Sequence, residues 1–132
     1  MKGFHINIGE ETKNNENFRK VLYTGKYSQL VLMTLKPGEE IGMEVHQTLD
    51  QFFRIEEGNG KAIIDGNEYI LGAEDVIIVP AGANHNIINT SDSESLKLYT
   101  IYSPPNHQDG IMYATKEETE SSSEHFDGKT TE

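Results

Sequence analysis

Residues 72–89 read GAEDVIIVPAGANHNIIN, and their order of turn, strand, corner and strand decides the fold. Gly72–Asp75 is a turn signal, and Val76–Val79 is a run of β-branched residues bounded closely on both sides. Pro80 ends the run by removing a ladder donor. Gly82 tolerates the positive φ of a tight corner. His85 therefore opens the next strand just past that corner, and Asn89 follows four residues on. Because VIIV is apolar on both faces, this strand is expected to be covered on both sides. The barrel interior supplies one cover. A second layer or another subunit must supply the other, and at this chain length a homodimer is the expected source.

The same punctuation repeats on either side. Turn signals fall at Pro37-Gly38, Glu57–Gly60, Asp65–Asn67 and Thr90–Ser95. Between them lie short runs rich in β-branched and aromatic residues, such as SQLVLMTLK, QFFRIEE, KAIID and LKLYTIY. Eight or nine strands at this spacing predict an all-β sandwich or barrel. The DGN at 65–67 predicts a two-residue hairpin with positive φ at both central positions. Residues 1–111 are thus read as one β-barrel domain with N-terminal strands. Residues 112–132 are read as an acidic, disordered tail, with ATKEETESSS as a frayed helix at most. Residues 116–132 carry six acids against two lysines, and so few apolar side chains that burial cannot offset the entropy of ordering them.

The chain carries a net charge of −11. That repels phosphate backbones and anionic headgroups, so neither nucleic acid nor a membrane surface is an expected partner. No apolar run has the length of a membrane span or a signal peptide, which makes the cytoplasm the default location. The chain has no cysteine, which removes disulfide and thiolate chemistry.

Polar residues with metal-binding capacity interrupt the apolar pattern at residues 42–53, GMEVHQTLDQFF. In a strand, Glu44 and His46 share a face, and Gln51 can rejoin them after a turn through Thr48–Asp50. Asp50 alternates away from Gln51. The same alternation puts Phe53 and Ile55 inward and Phe52 and Arg54 outward. In LKLYTIY, an outward Lys97 leaves Leu98, Thr100 and Tyr102 facing in. Tyr102 is then a candidate proton donor or substrate hydrogen-bonder. His107, in SPPNHQDG, is a candidate for covering the pocket mouth.

These motifs resemble those of the cupins, small double-stranded β-helix barrels of the jelly-roll type, over roughly residues 28–103. The second family motif, Pro-x-Gly-x-x-His-x-x-x-Asn, is matched by Pro80, Gly82, His85 and Asn89. The first motif keeps its frame, ending in QFFRIEEG at Gly58, but Glu44, His46 and Gln51 stand where the family has His, His and Glu. The resemblance implies that Glu44, His46, Gln51 and His85 coordinate one divalent metal. One carboxylate is retained, at a different corner, so the ligand charge is that of the usual set. Two oxygen and two nitrogen donors suit Fe, Mn, Ni or Zn.

The resemblance further implies a metal-dependent enzyme acting on a small oxygen-rich metabolite. Sugar isomerase or epimerase chemistry, as in the mannose-6-phosphate isomerase-like cupins, is the first expectation. An iron-dependent dioxygenase, or a non-catalytic small-molecule-binding barrel, are the alternatives. No cluster of Arg or Lys is evident on the inward faces, which weighs against a phosphorylated substrate.

Overall fold

The computed structural model describes residues 1–132. Its elements are α1 (Ile8–Asn14), β1 (Arg19–Thr24), β2 (Gln29–Leu35), β3 (Glu44–Val45), β4 (Asp50–Glu57), β5 (Gly60–Ile64), β6 (Asn67–Leu71), β7 (Val76–Val79), β8 (Asn84–Asn89), β9 (Leu96–Ser103), β10 (Met112–Tyr113) and α2 (Lys116–Glu120). The strands form two antiparallel sheets, one ordered β10-β1-β2-β9-β4-β7 and one ordered β3-β8-β5-β6. This is the double-stranded β-helix. Non-sequential neighbours such as β2 and β9 bring distant parts of the chain side by side, which is how a site is assembled from separate motifs.

Alternation fixes which side chains meet between the sheets. Val31, Phe53, Ile55, Ala62, Ile87 and Leu98 belong to a cluster of 17 buried apolar residues that fills the interior. Phe52 and Arg54 of β4 point outward, as alternation requires. The β5–β6 turn has φ of 46° at Asp65 and 81° at Gly66. Gly58 is required at the end of β4, because a Cβ there would sit 2.4 Å from the Ser95 carbonyl oxygen. Asn89 holds the opposite corner: its buried Nδ2 donates to the carbonyls of Leu35, Lys36 and Glu94.

Three features bear on the sequence reading. First, β7 is covered on one face only. Ile77 and Val79 are buried, whereas Val76 and Ile78 are 45% and 63% exposed. The strand lies at a sheet edge, and within one chain no second layer lies over its outer side.

Second, α1 precedes the barrel. The Asn7 side chain caps it by accepting from the Glu10 N–H, and Glu10 and Glu11 complement its N-terminal dipole. The Lys97 ammonium, outward from the barrel yet only 5% exposed, donates to the carbonyls of Lys13 and Asn15 at its far end and pairs with Glu16. At seven residues α1 is too short to leave a periodic signature.

Third, residues 112–132 carry the short strand β10 as well as α2, which falls within the stretch read as a frayed helix. β10 pairs with Arg19 and Lys20 of β1, and α2 is capped by Thr115. The chain then returns along the barrel: Phe126 N–H donates to Asn106 O, and Thr131 N–H to Thr24 O. Backbone and side-chain hydrogen bonds, rather than apolar burial, join this segment to the barrel.

Candidate metal centre

Glu44 and His85 are directly opposed in the β3–β8 ladder. An antiparallel pair holds such side chains on one face, within about 5.5 Å at Cβ. His46, two residues after Glu44, returns to the same face. Its position is set by the corner before β8, where the Gly82 N–H donates to the His46 carbonyl at 2.8 Å. Gly82 has φ of +92°, as this corner demands. Donor atoms of Glu44, His46 and His85 all lie within 4.8 Å of one another. The two imidazole centroids are 5.3 Å apart.

The local hydrogen bonding leaves these donors facing one another. His85 Nδ1 lies 3.2 Å from the Ala83 carbonyl, which makes Nδ1–H the donor and frees the Nε2 lone pair. His46 Nε2 lies 3.0 Å from Glu44 Oε2. Yet the nitrogen is buried and has no aligned hydrogen-bond partner, so proximity here is not a formed hydrogen bond. Burial pushes the Glu44 carboxyl up, but His46, Arg19 and His85 together outweigh it and hold it below its usual value. Glu44 is therefore the anion of the cluster.

Gln51 enters from the other sheet. It stands opposite Val79 and Tyr102, in an inward row that continues through Gln29 to Thr24. It is 3% exposed. Its Nε2 donates to the Thr100 hydroxyl at 3.0 Å, which fixes the amide's orientation. Its Oε1 is buried with no partner. A buried acceptor left unpaired costs about 1–3 kcal/mol. The Gln51 oxygen and His46 Nε2 are two of the four buried side-chain atoms without a partner, the other two being the Nε of Arg19 and of Arg54. Two nitrogen and two oxygen donors, one of them anionic, are a set that a divalent cation fits.

Beside the cluster runs a chain of three side chains. The His46 and Tyr102 rings meet edge-on with centroids 6.0 Å apart. Tyr102 Oη is 3.1 Å from His107 Nε2, and His107 Nδ1 is 2.7 Å from Glu124 Oε1. With Nδ1–H donating to the carboxylate, Nε2 accepts from the phenol. Burial raises the Tyr102 hydroxyl to about 12. Burial also lowers His107, despite the opposing pull of Glu124. Burial pushes Glu124 up, but the His107 and Gln108 hydrogen bonds reverse this and leave it lowered. The chain is thus phenol, neutral imidazole and carboxylate. Gln29 secures its middle member, donating to the His107 carbonyl and accepting from the N–H groups of Asn106 and His107.

Of the residues singled out in the sequence, Glu44, His46 and His85 form one cluster. Gln51 faces Tyr102 across the ladder, and Tyr102 bonds His107. Asp50 is exposed and accepts from the Ala81 N–H at the corner before β8. Two further residues carry charge to this region. Glu124 lies in the segment read as disordered. Arg19 lies on β1, on the same face as the buried Val21, before the stretch that carries the motifs. The two surface clefts of the molecule, of about 220 and 320 Å³, are lined by other residues. Donor chemistry, not concavity, marks this site.

A double-stranded β-helix with a His-and-carboxylate cluster between its sheets defines a class of small barrel proteins. The family model of the cupin domain matches residues 31–102, and the chain belongs to that family. YrkC of Bacillus subtilis is 46% identical over 121 residues, 87% of this chain. The chain spans 64% of the length of that protein. The crystal structure of BH2720 from Bacillus halodurans superposes with a TM-score of 0.89 at 39% identity, covering 92% of this chain and 96% of that one. A predicted oxalate decarboxylase from Thermotoga maritima shares 25% identity at a TM-score of 0.57, over 60% of this chain and 68% of its own. No helix is long and apolar enough to cross a membrane.

Proposed function

We propose that this cupin is a metal-dependent enzyme acting on a small oxygen-rich metabolite, and that Glu44, His46, Gln51 and His85 hold its single divalent ion (Fe, Mn, Ni or Zn). One observation carries the reading. Three donors converge within 4.8 Å, while His46 Nε2 and Gln51 Oε1 are buried without partners. When bound, the ion supplies Lewis-acid polarisation of a substrate carbonyl or hydroxyl.

The chain's own residues supply the proton handling. Tyr102 keeps its proton at neutral pH and stands beside His46, so it is the general acid for an oxygen that gains negative charge near the donors. Neutral His107 orients the phenol, and Glu124 orients His107. Proton transfer between neighbouring carbons and oxygens is the chemistry of isomerisation, and this is the reaction class the arrangement supports. The similarity to a predicted oxalate decarboxylase supports a small oxygen-rich substrate without choosing the reaction.

The test uses the full chain loaded with each of the four metals and assayed with sugars, keto acids and hydroxy acids, in air and under nitrogen. The proposal expects anaerobic turnover that chelation abolishes and that falls about 10²–10⁴-fold in Tyr102→Phe. Turnover only in air would replace isomerisation with oxygenation. Binding without turnover under every condition would make the protein a binding module.

A further inference from the structure

Arg19 is a half-buried cation on the inner face of β1 that no carboxylate of the chain pairs with. Its Nε is buried and has no hydrogen-bond acceptor, and none of the five ion pairs includes it. A guanidinium donates from every nitrogen and stays charged at any physiological pH. Burying one of its donors unpaired is costly, and a chain with 22 acids has no shortage of carboxylates to place beside it. Lys97, a buried cation, shows the contrast: it has three oxygen partners within 2.8 Å.

The fold also points Arg19 toward the site. Arg19 and Val21 share the inner face of β1, and Val21 belongs to the core cluster. The guanidinium carbon lies 5.3 Å from the centroid of the Phe18 ring, over its face. Such an aromatic floor orients the plane while leaving its N–H edge free. Its charge is felt by Glu44 on one side and by Tyr102, His107 and Glu124 on the other. These four groups belong to the donor cluster and to the phenol–imidazole–carboxylate chain, so the Arg19 charge acts on both.

We propose that Arg19 is the carboxylate-binding residue of the site, and that the substrate is a short organic acid whose carboxylate pairs with Arg19 while a neighbouring hydroxyl or carbonyl oxygen meets the metal-binding donors. This narrows the substrate class of the function proposed above and rests on that reading for the second contact only. A carboxylate matches the guanidinium fork, with two parallel N–H···O bonds. It would satisfy the orphaned Nε and give Arg19 the close ion-pair partner that the fold does not supply. A neutral sugar does neither.

The test is an NMR titration of the full-length protein, reading the Nε–H signal of Arg19, assigned by its loss in Arg19→Lys. Glycolate and pyruvate are the probes, with hydroxyacetone as the neutral control, each with and without Mg²⁺ as a diamagnetic divalent ion. The expected result is a saturable shift of the Arg19 signal with both acids and none with hydroxyacetone. Arg19→Gln should weaken acid binding at least tenfold, measured calorimetrically, without changing metal stoichiometry. An unmoved Arg19 signal, an equal shift with hydroxyacetone, or unchanged acid affinity in Arg19→Gln overturns the proposal. Acid binding that proceeds identically with and without metal, in a protein that takes up none of the four metals, upholds the Arg19 subsite and defeats the metal reading instead.

Discussion

Each of the four proposed ligands is held by a different local device. Glu44 is set by the β3–β8 register, His46 by the Gly82 N–H, His85 by the Ala83 carbonyl and Gln51 by the Thr100 hydroxyl. Gln51 offers the sharpest test, because its amide nitrogen has a structural bond and its oxygen has none. Gln51→Leu is expected to keep the fold, with far-UV circular dichroism unchanged, and to weaken metal binding by about 10–100-fold, the range typical of lost support to a metal site. Thr100→Val, which releases the amide to rotate, should weaken it less. Much of this constellation was legible in the sequence, because i and i+2 alternation and the corner at Pro80–Gly82 are local rules. Arg19 and Glu124 were not, since their approach depends on how β1 and the C-terminal segment lie against the barrel. No local pattern records that.

Among the elements, the returning C-terminal segment has the clearest consequence. It carries Glu124 to His107, so the stability of this segment must follow the protonation of the pair. His107 in the folded chain lies below its ordinary value of 6.5, chiefly through burial. Protons therefore bind the unfolded form more readily there, and stability is full above pH 6.5 and declines as pH falls below it. Glu124, lowered from 4.5, adds a further loss as pH falls below that value. Melting temperatures measured from pH 7 to pH 5 should fall in the wild type and fall less steeply in His107→Gln. A flat wild-type profile would show that burial does not hold His107 below its ordinary value in the folded chain. The β4–β5 connection makes a second prediction. At Gly58 a Cβ would meet the Ser95 carbonyl, and φ is +98°. Gly58→Ala should therefore cost about 1–3 kcal/mol in chemical denaturation. The glycine was visible in the sequence as part of a motif frame. The close approach of β9's leading residues that makes it necessary was not.

On the scale of the whole molecule, two surfaces organise the behaviour: the interior between the sheets and an apolar row outside them. Ile78, Phe52, Ile101 and Leu30 are aligned across the outer face of β7, β4, β9 and β2. With Ile78 63% exposed at the edge, we propose that a second copy of the chain covers this row as a homodimer. Light scattering after size exclusion should give twice the 14.8 kDa chain mass for the wild type and the chain mass for Ile78→Lys. A monomeric wild type would refute it. The interior carries the central claim that four side chains from two sheets surround one cation. Crystals of the metal-loaded protein, measured at the metal's absorption edge, test it most directly. One anomalous peak bounded by Glu44, His46, Gln51 and His85 is the predicted result. A loaded protein whose peak lies elsewhere, or whose Gln51 oxygen faces away from it, would contradict the account.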